Sequence, residues 1–330
     1  MIKHDDQRYG VIIHVPLGEN SYGPRLRRTH VPSPYADLHV HTTRSDGTLE
    51  PDAVADAARR AGVSVVAITD HDVLPPFEGS EVRPASGGRN DDDRNYDRDD
   101  IRNDDRDDTA DVDQDDTADV DRVTVVAGVE LRVEPDDGER LDLLGYGVHR
   151  KDDLEDLCAE LGAERRKRGQ RIVDLVEDCK DVTLDIEVDE GTGRPHVARA
   201  IDAHPAIDLD YQDAFDELIG SGCPCYVKRR CLPSFERGHR LLAAACDVVS
   251  LAHPLRYADL EAALERAKVL DAIELEYPYT GTVDLSPVER AIADHDLLAT
   301  GGSDAHGEDL GVAGLDRASY RRLASGRWSV

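Results

Sequence analysis

Asp37-Leu38-His39-Val40-His41 runs closely into Ser45-Asp46-Gly47. Apolar and polar residues alternate up to two histidines one residue apart, and a carboxylate follows five positions after the second. In a strand, residues i and i+2 point to the same side. His39 and His41 therefore face one cavity, as two imidazole ligands of one metal ion must. A buried histidine satisfied by ordinary hydrogen bonds is the common alternative for such a pair. Residues of the same kind at later strand ends weigh against it.

Those strands follow in order. Ala36 to His41 reads as the first. A helix beginning at Thr48-Leu49-Glu50-Pro51 comes next, with Thr48 as its expected N-cap, Ala53, Val54, Ala57, Ala58 and Ala61 at helical spacing, and Gly62 as its stop. Ser64 to Thr69 is a continuous apolar strand ending in Thr69-Asp70-His71-Asp72. Val123 to Val129 ends at Glu130, and Arg140 to Tyr146 alternates like a strand with Asp142 inside it. Later come helix 235–246, strand 248–252 before His253-Pro254, helix 257–268, strand 272–276, helix 286–295 and strand 297–300. The last runs into Gly301-Gly302-Ser303-Asp304-Ala305-His306-Gly307.

Seven apolar strands separated mostly by helices predict a parallel α/β sheet, closed or nearly so. His39, His41, His71, Glu130, His253, Asp304 and His306 then all fall at or just past C-terminal strand ends, the face on which βα barrels build active sites. Histidines used only for packing have no reason to choose one end of the strands. The set lacks Cys, which argues against a closed structural zinc site. Mixed His and carboxylate ligands suit Mn²⁺, Zn²⁺ or Fe²⁺. There are too many ligands for one ion, so two or three divalent ions are expected, Mn²⁺ first among them.

The six motifs His39-Val40-His41, Ser45-Asp46-Gly47, Thr69-Asp70-His71-Asp72, Gly128-Val129-Glu130, Ala252-His253-Pro254 and Gly302-Ser303-Asp304-Ala305-His306 resemble, in order, those of the PHP (polymerase and histidinol phosphatase) superfamily. The resemblance implies a distorted (β/α)7 barrel with a trinuclear metal centre at the strand C-termini. It implies that His39, His41, Glu130 and Asp304 hold one metal. Glu130 would bridge to a second, shared with His253 and Asp142, while Asp46, His71 and His306 hold the third. Asp142 stands where the family usually has His, which implies either a retuned site or a two-metal centre.

Glu164-Arg165-Arg166 and Arg194-Pro195-His196-Val197-Ala198-Arg199 are similar to the TrpH/RNase AM branch, which hydrolyses 3′,5′-nucleoside bisphosphates or trims short RNA from its 5′ end. The implied substrate is a small phosphorylated molecule, a nucleotide or a short RNA. Arg165, Arg168 and Arg171, at three-residue spacing, are expected to share a helix face and meet phosphate, with Arg194 and His196 as further contacts. The expected reaction is in-line attack on phosphorus by a metal-bound hydroxide, and His196 and His306 are both candidates for protonating the leaving oxygen. A histidinol phosphatase-like monoesterase and a non-catalytic metal-binding regulatory module are the alternatives.

The expected organisation is an N-terminal extension over 1–35, a discontinuous barrel over 36–149 and 229–325, and an inserted helical cap over 150–228. No run of eighteen apolar residues or basic-then-apolar leader is present, so a cytoplasmic protein without a membrane partner is expected. Seventy acidic residues against 40 basic ones, only six of them Lys, resemble adaptation to high internal salt and argue against stable binding of duplex nucleic acid. Cys223-Pro224-Cys225 and Cys231 lack a fourth partner and fit no zinc ribbon.

A disordered surface insertion is expected over 80–122, because Arg89 to Arg122 holds 16 Asp and six Arg and repeats Asp-Asp-Thr-Ala-Asp-Val-Asp at 107–113 and 115–121. The repeat lacks the Gly and terminal Glu of a calcium-binding EF-hand loop. Deleting residues 89–122 is therefore expected to leave the circular dichroism spectrum and the melting transition nearly unchanged. Loss of the cooperative transition would show that the segment contributes to the core.

Overall fold

The computed structural model describes residues 33–84 and 122–325. The N-terminal extension up to residue 32 and the acidic run 85–121 lie outside the described residues.

Seven strands form one curled sheet in the order β1 (Ala36–Val40), β2 (Val65–Ile68), β4 (Arg122–Val133), β5 (Leu141–Tyr146), β6 (Val248–Leu251), β7 (Ala272–Glu276) and β8 (Leu298–Gly301). An eighth, β3 (Ser80–Pro84), pairs antiparallel with β4 on the side. Helices α1 (Val54–Ala61), α5 (Phe235–Ala245), α6 (Leu260–Ala267), α7 (Ser286–His295) and α8 (Arg317–Ala324) accompany the strands. Strands β1, β2, β5 and β6 are buried along their whole length, so the polar side chains of β1 and β5, among them His39 and Asp142, are enclosed rather than facing solvent. Leu38, Ala67, Val126, Leu144, Tyr146, Val248 and Ala272 fill one side of the sheet, and α8 seals it through Tyr320 and Leu323.

The sheet is not wholly parallel, contrary to the sequence expectation. Strand β5 runs antiparallel to both β4 and β6, whereas the pairs β1–β2, β2–β4, β6–β7 and β7–β8 are parallel. The reason is the short link 134–140, which turns at Gly138 with φ of 100°. A parallel return needs a crossover of about a dozen residues or more, and this link is too short for one. Strand β4 also continues past Glu130 to Val133, pairing with β2 over Thr124–Ala127 and with β5 over Gly128–Val133.

Further boundaries move. Residues 80–84, expected to belong to the insertion, form β3, so the described chain departs from the barrel only after Pro84. Thr48 does not cap the first helix: a 3-10 turn, Pro51–Ala53, precedes α1, and the Thr48 hydroxyl donates to the His306 carbonyl at 3.0 Å. Gly62 closes α1 in the left-handed conformation at φ 76°.

Between β5 and β6 the chain builds α2 (Asp152–Lys180), α3 (Arg194–Asp202) and a short α4 (Tyr211–Asp213) that runs into a π-turn, Ala214–Ile219. The 29 residues of α2 span roughly 44 Å at 1.5 Å per residue. Leu154, Leu157 and Leu161, near its start, pack with the barrel residues Leu131 and Leu143. Ile172, Val173 and Val176, nearer its end, belong to a separate core with Val197, Ile201, Leu218 and Ile219.

The first and last strands meet through side chains and irregular backbone rather than a ladder. The buried Asp37 carboxylate accepts from the Ser303 and Gly311 amides, each at 2.8 Å. The His41 amide donates to the Ala305 carbonyl at 2.9 Å. Gly302 lies against His39, and a Cβ there would overlap the His39 Cβ and amide nitrogen. Gly302→Ala is accordingly expected to cost about 1–3 kcal/mol in urea unfolding. Gly307→Ala, whose added Cβ would meet only the Thr48 Oγ1 at 3.5 Å, serves as the control and is expected to be neutral. Equal stabilities for the two variants would contradict this account of the seam.

Candidate metal centre and cavity

The strand ends carry His39 in β1 and His41 just after it, His71 just after β2, Glu130 within β4, His253 just after β6, and Asp304 and His306 after β8. Asp142 arrives from the other direction. It lies near the start of β5, and because β5 is reversed that start faces the same mouth as the other strands' ends. Asp46 is delivered by the turn after β1, which the buried Asp70 carboxylate holds by accepting from the Thr42 amide at 2.7 Å and the Ser45 hydroxyl at 2.6 Å.

These nine side chains converge. The Glu130 Oε2 lies 2.7 Å from His71 Nδ1, 3.4 Å from His41 Nε2 and 3.5 Å from His39 Nε2. Asp304 Oδ1 is 3.1 Å from His41 Nε2, and Asp46 Oδ1 is 3.2 Å from His306 Nε2. His253 Nε2 stands 3.2 Å from Glu130 Oε1 and 3.7 Å from Asp142 Oδ2. Three groups each present donor atoms within 4.8 Å of one another: His41, Asp46, His71 and His306; His39, His41 and Asp304; and Glu130, Asp142 and His253. His39 Nε2, His41 Nε2 and Asp46 Oδ1 are buried yet make no hydrogen bond of acceptable geometry. Buried polar atoms without partners are rare, and an ion is one of the few things that explains them. The donor set fits divalent cations.

A second layer of residues orients the first. The fully buried Glu274 carboxylate lies 3.0 Å from His39 Nδ1 and accepts from the His253 amide at 2.6 Å. With Nδ1 donating to Glu274, the His39 Nε2 lone pair points into the cluster, the carboxylate–histidine arrangement that steadies metal-binding imidazoles. His306 is held in the same sense, its Nδ1 lying 2.9 Å from the Asp304 carbonyl. Asp304 Oδ2 accepts from the Tyr277 hydroxyl at 2.8 Å and from Arg256 at 3.2 Å. Arg132 grips Asp142 through two bonds of 2.6 Å, one to each oxygen, which leaves each oxygen a free lone pair. Asp72, His253 and Asp304 adopt positive φ, at 56°, 29° and 51°, an uncommon conformation for such residues that marks the rim of the cluster.

Electrostatics follow from this crowding. Burial disfavours the charged form of His71, yet Glu130 and Asp46 beside it push its pKa up to about 9. His39 is also raised against its burial by Glu274, Asp304 and Glu130. His41 goes the other way, lowered by burial and by the neighbouring His71.

The cluster floors a cavity of about 320 Å³ whose walls carry Arg132, Arg140, Arg165, Arg168, Arg194, Arg229 and Arg256. Asp72 organises two of them: its Oδ2 accepts from both Arg165 and Arg229, while its Oδ1 accepts from the Arg132 amide at 3.2 Å. Burial acts to raise the Asp72 pKa, but Arg229 and Arg165 overcome it and hold the group at about 2. Arg168 lines the cavity and donates to the Val227 carbonyl at 2.8 Å. Arg171 does not share that face; it is exposed and opens onto an adjoining groove. Nor does His196 line the cavity. Its Nδ1 accepts from the Gly193 amide at 3.1 Å and closes the first turn of α3, while Arg194 and Pro195 form the wall.

Asp37, Asp70, Asp72, Arg132, Arg229 and Glu274 had no expected role. For Glu274 a signal existed, a carboxylate inside the apolar strand Ala272-Ile273-Glu274-Leu275.

Residues 37–233 match the model of the PHP domain family. A 5′-3′ exoribonuclease of Haemophilus influenzae is 25% identical over 232 residues, covering 67% of this chain and 69% of its own length. A phosphoribosyl 1,2-cyclic phosphate 1,2-diphosphodiesterase of Eggerthella lenta is 23% identical over 82% of this chain and 94% of its own. In fold, the chain is similar to a protein of Bifidobacterium adolescentis assigned as a metal-dependent phosphoesterase, with a TM-score of 0.65 and 23% identity over 91% of this chain and 98% of that one. It is also similar to an amidohydrolase of Chromobacterium violaceum, with a TM-score of 0.61 and 21% identity over 88% of this chain and 96% of that one. Six ordered motifs, a family match spanning more than half the sequence and nine convergent side chains lead to one conclusion: the chain belongs to the PHP domain family of metal-dependent phosphoesterases.

Proposed function

We propose that this chain hydrolyses phosphate esters of nucleotides or short RNA, using two or three divalent cations held by His39, His41, Asp46, His71, Glu130, Asp142, His253, Asp304 and His306. The observation that carries the reading is the convergence of buried imidazole and carboxylate atoms that lack hydrogen-bond partners, directly beneath a wall of arginines. Bound cations would supply Lewis-acid activation of water and of the phosphoryl oxygens. Oxygen and imidazole donors without thiolate suit Mn²⁺ first, with Zn²⁺ or Fe²⁺ as alternatives. Asp142 keeps a lone pair on each oxygen despite Arg132, so the substitution of Asp for His leaves the Glu130 and His253 position chemically complete.

The chain's own residues then divide the remaining work. Arg165 and Arg229, fixed by Asp72, present guanidinium groups to a phosphoryl group over the cluster, and Arg168 and Arg194 extend the positive wall. Such a wall is the exception on a chain with a formal net charge of −30, and it favours a substrate with more than one phosphate. The cavity-lining histidines His71, His253 and His306 all belong to the metal cluster, and His196 is engaged at α3. Stabilisation of the leaving oxygen therefore falls to the arginines rather than to a free imidazole acid. Helices α2 and α3 and the short α4 between β5 and β6 would serve as the cap over 150–228.

The decisive assay offers adenosine 3′,5′-bisphosphate and histidinol phosphate side by side with Mn²⁺. Faster phosphate release from the bisphosphate is expected; preference for histidinol phosphate would replace the substrate assignment, and bound metal without release from any ester would refute catalysis. His41→Ala is expected to abolish turnover and lower metal content, and full activity would remove His41 from the site. Glu274→Gln, which acts through His39, is expected to weaken metal affinity by about 10–100-fold while the fold is retained. Unchanged affinity in that variant would show that Glu274 does not orient the ligand.

Asp72 also makes a pH prediction. Its carboxyl titrates near 2 in the folded chain against an ordinary value of 3.8, so its stabilisation is complete above the unfolded value and is lost as pH falls towards 2. The difference corresponds to about 2 kcal/mol. Asp72→Asn leaves the largely buried Arg165 and Arg229 without their carboxylate, and a loss of roughly 3–5 kcal/mol near neutral pH is expected in chemical unfolding, shrinking as the pH drops below 4. A stability difference independent of pH would contradict the assigned pairing.

A further inference from the structure

Outside the cavity lies a second concave surface, a groove of about 460 Å³ between the outer face of α2 and residues 226–230. Lys167, Arg168, Arg171, Lys228 and Arg230 line it, against the single carboxylate of Glu164. Lys167, Arg171, Lys228 and Arg230 are exposed, and among the described residues none has a carboxylate within 4.0 Å. Elsewhere on the same chain, exposed Arg and Lys are commonly paired, as Arg150 is with Glu155 and Lys268 with Glu265. Four exposed basic groups without carboxylate partners, gathered beside Arg168, are therefore a local reversal of a strongly acidic surface.

The groove adjoins the cavity. Arg168 and Tyr226 line both, and the bond from Arg168 to the Val227 carbonyl ties α2 to the segment forming the opposite wall. At about 320 Å³ the cavity is at the small end of ligand sites, enough for a terminal nucleotide but not for the nucleotides that follow it in a strand. A strand whose end lies over the metal cluster can leave past Arg168 and Tyr226, which border both spaces. Beyond them it meets a basic channel with an aromatic ring at its entrance, the pairing of charge and stacking surface that holds single-stranded nucleic acid.

We propose that the groove is the binding track for the downstream phosphates of a single-stranded oligonucleotide whose terminal nucleotide occupies the cavity. This deepens, and rests on, the phosphoesterase reading above. Arg171, Lys228 and Arg230 would contact backbone phosphates and discriminate strand length, leaving the chemistry at the metal cluster untouched. On a chain with a formal net charge of −30, such a track also gives a polyanion a local route of approach that the rest of the surface denies it.

The test uses the full chain, the variant R171E/K228E/R230E, a 3′-labelled, 5′-phosphorylated RNA hexamer, and adenosine 3′,5′-bisphosphate. Hexamer binding is followed by fluorescence anisotropy and hydrolysis of both compounds by product release. The variant is expected to lose at least tenfold in hexamer affinity and in kcat/KM for the hexamer, while its kcat/KM for the bisphosphate stays within twofold of the parent. Its hexamer binding should also respond less steeply to added salt, because fewer phosphate contacts release fewer counterions. If parent and variant bind the hexamer equally, or if both substrates decline together, the groove is not the track. If the parent binds the hexamer through these residues but hydrolyses neither compound with Mn²⁺, the track stands and the phosphoesterase reading falls. If it hydrolyses the bisphosphate but binds the hexamer no more tightly than the variant does, the reverse holds.

Discussion

Four carboxylates and five imidazoles crowd one end of a barrel at separations of about 3–4 Å, and most are sealed from water. Carboxylates this close cannot all remain ionised without positive charge among them. The fold answers this on three levels. Imidazoles such as His71 sit between Glu130 and Asp46, Arg132 grips both oxygens of Asp142 and Arg256 the outer oxygen of Asp304, and the unpartnered inner atoms are left for divalent cations. The seam between first and last strands follows from the same demand. Gly302 and the Asp37 carboxylate let the Asp304 loop lie directly against His39, and a regular ladder there would not bring Asp304 to His41.

Much of this was legible in the chain. His39 and His41 share a face because strand geometry has a period of two, and the other strand-end residues follow from apolar runs broken at a histidine or carboxylate. Asp142 was harder to place. It reaches the mouth only because β5 is reversed, and the short link around Gly138 was the available signal. Strand β3 has no clear sequence signal, because Ser80-Glu81-Val82-Arg83-Pro84 carries a single apolar Val among polar residues and ends in Pro, and only pairing with β4 makes it a strand. Arg229 was out of reach for another reason. It meets the carboxylate of Asp72, which it shares with Arg165, across 157 positions, and no local pattern encodes such a contact.

The basic residues show how charge can be partitioned in an acidic protein. Arg165, Arg168 and Arg171 follow one another on α2 at three-residue spacing, yet each does a different thing. The first is buried against Asp72, the second spans cavity and groove, and the third faces the groove alone. Successive residues three apart drift around a helix of 3.6 residues per turn, so a row read as one face becomes a path from the metal cluster outwards.

The account stands on cations binding among the strand ends. Crystals of the full chain grown with Mn²⁺ and measured at the manganese absorption edge test this most directly. Two or three anomalous peaks are predicted within coordinating distance of the side chains of His39, His41, Asp46, His71, Glu130, His253, Asp304 and His306. Absence of any peak there at saturating Mn²⁺, with the side chains instead hydrogen-bonded to one another, would contradict the account.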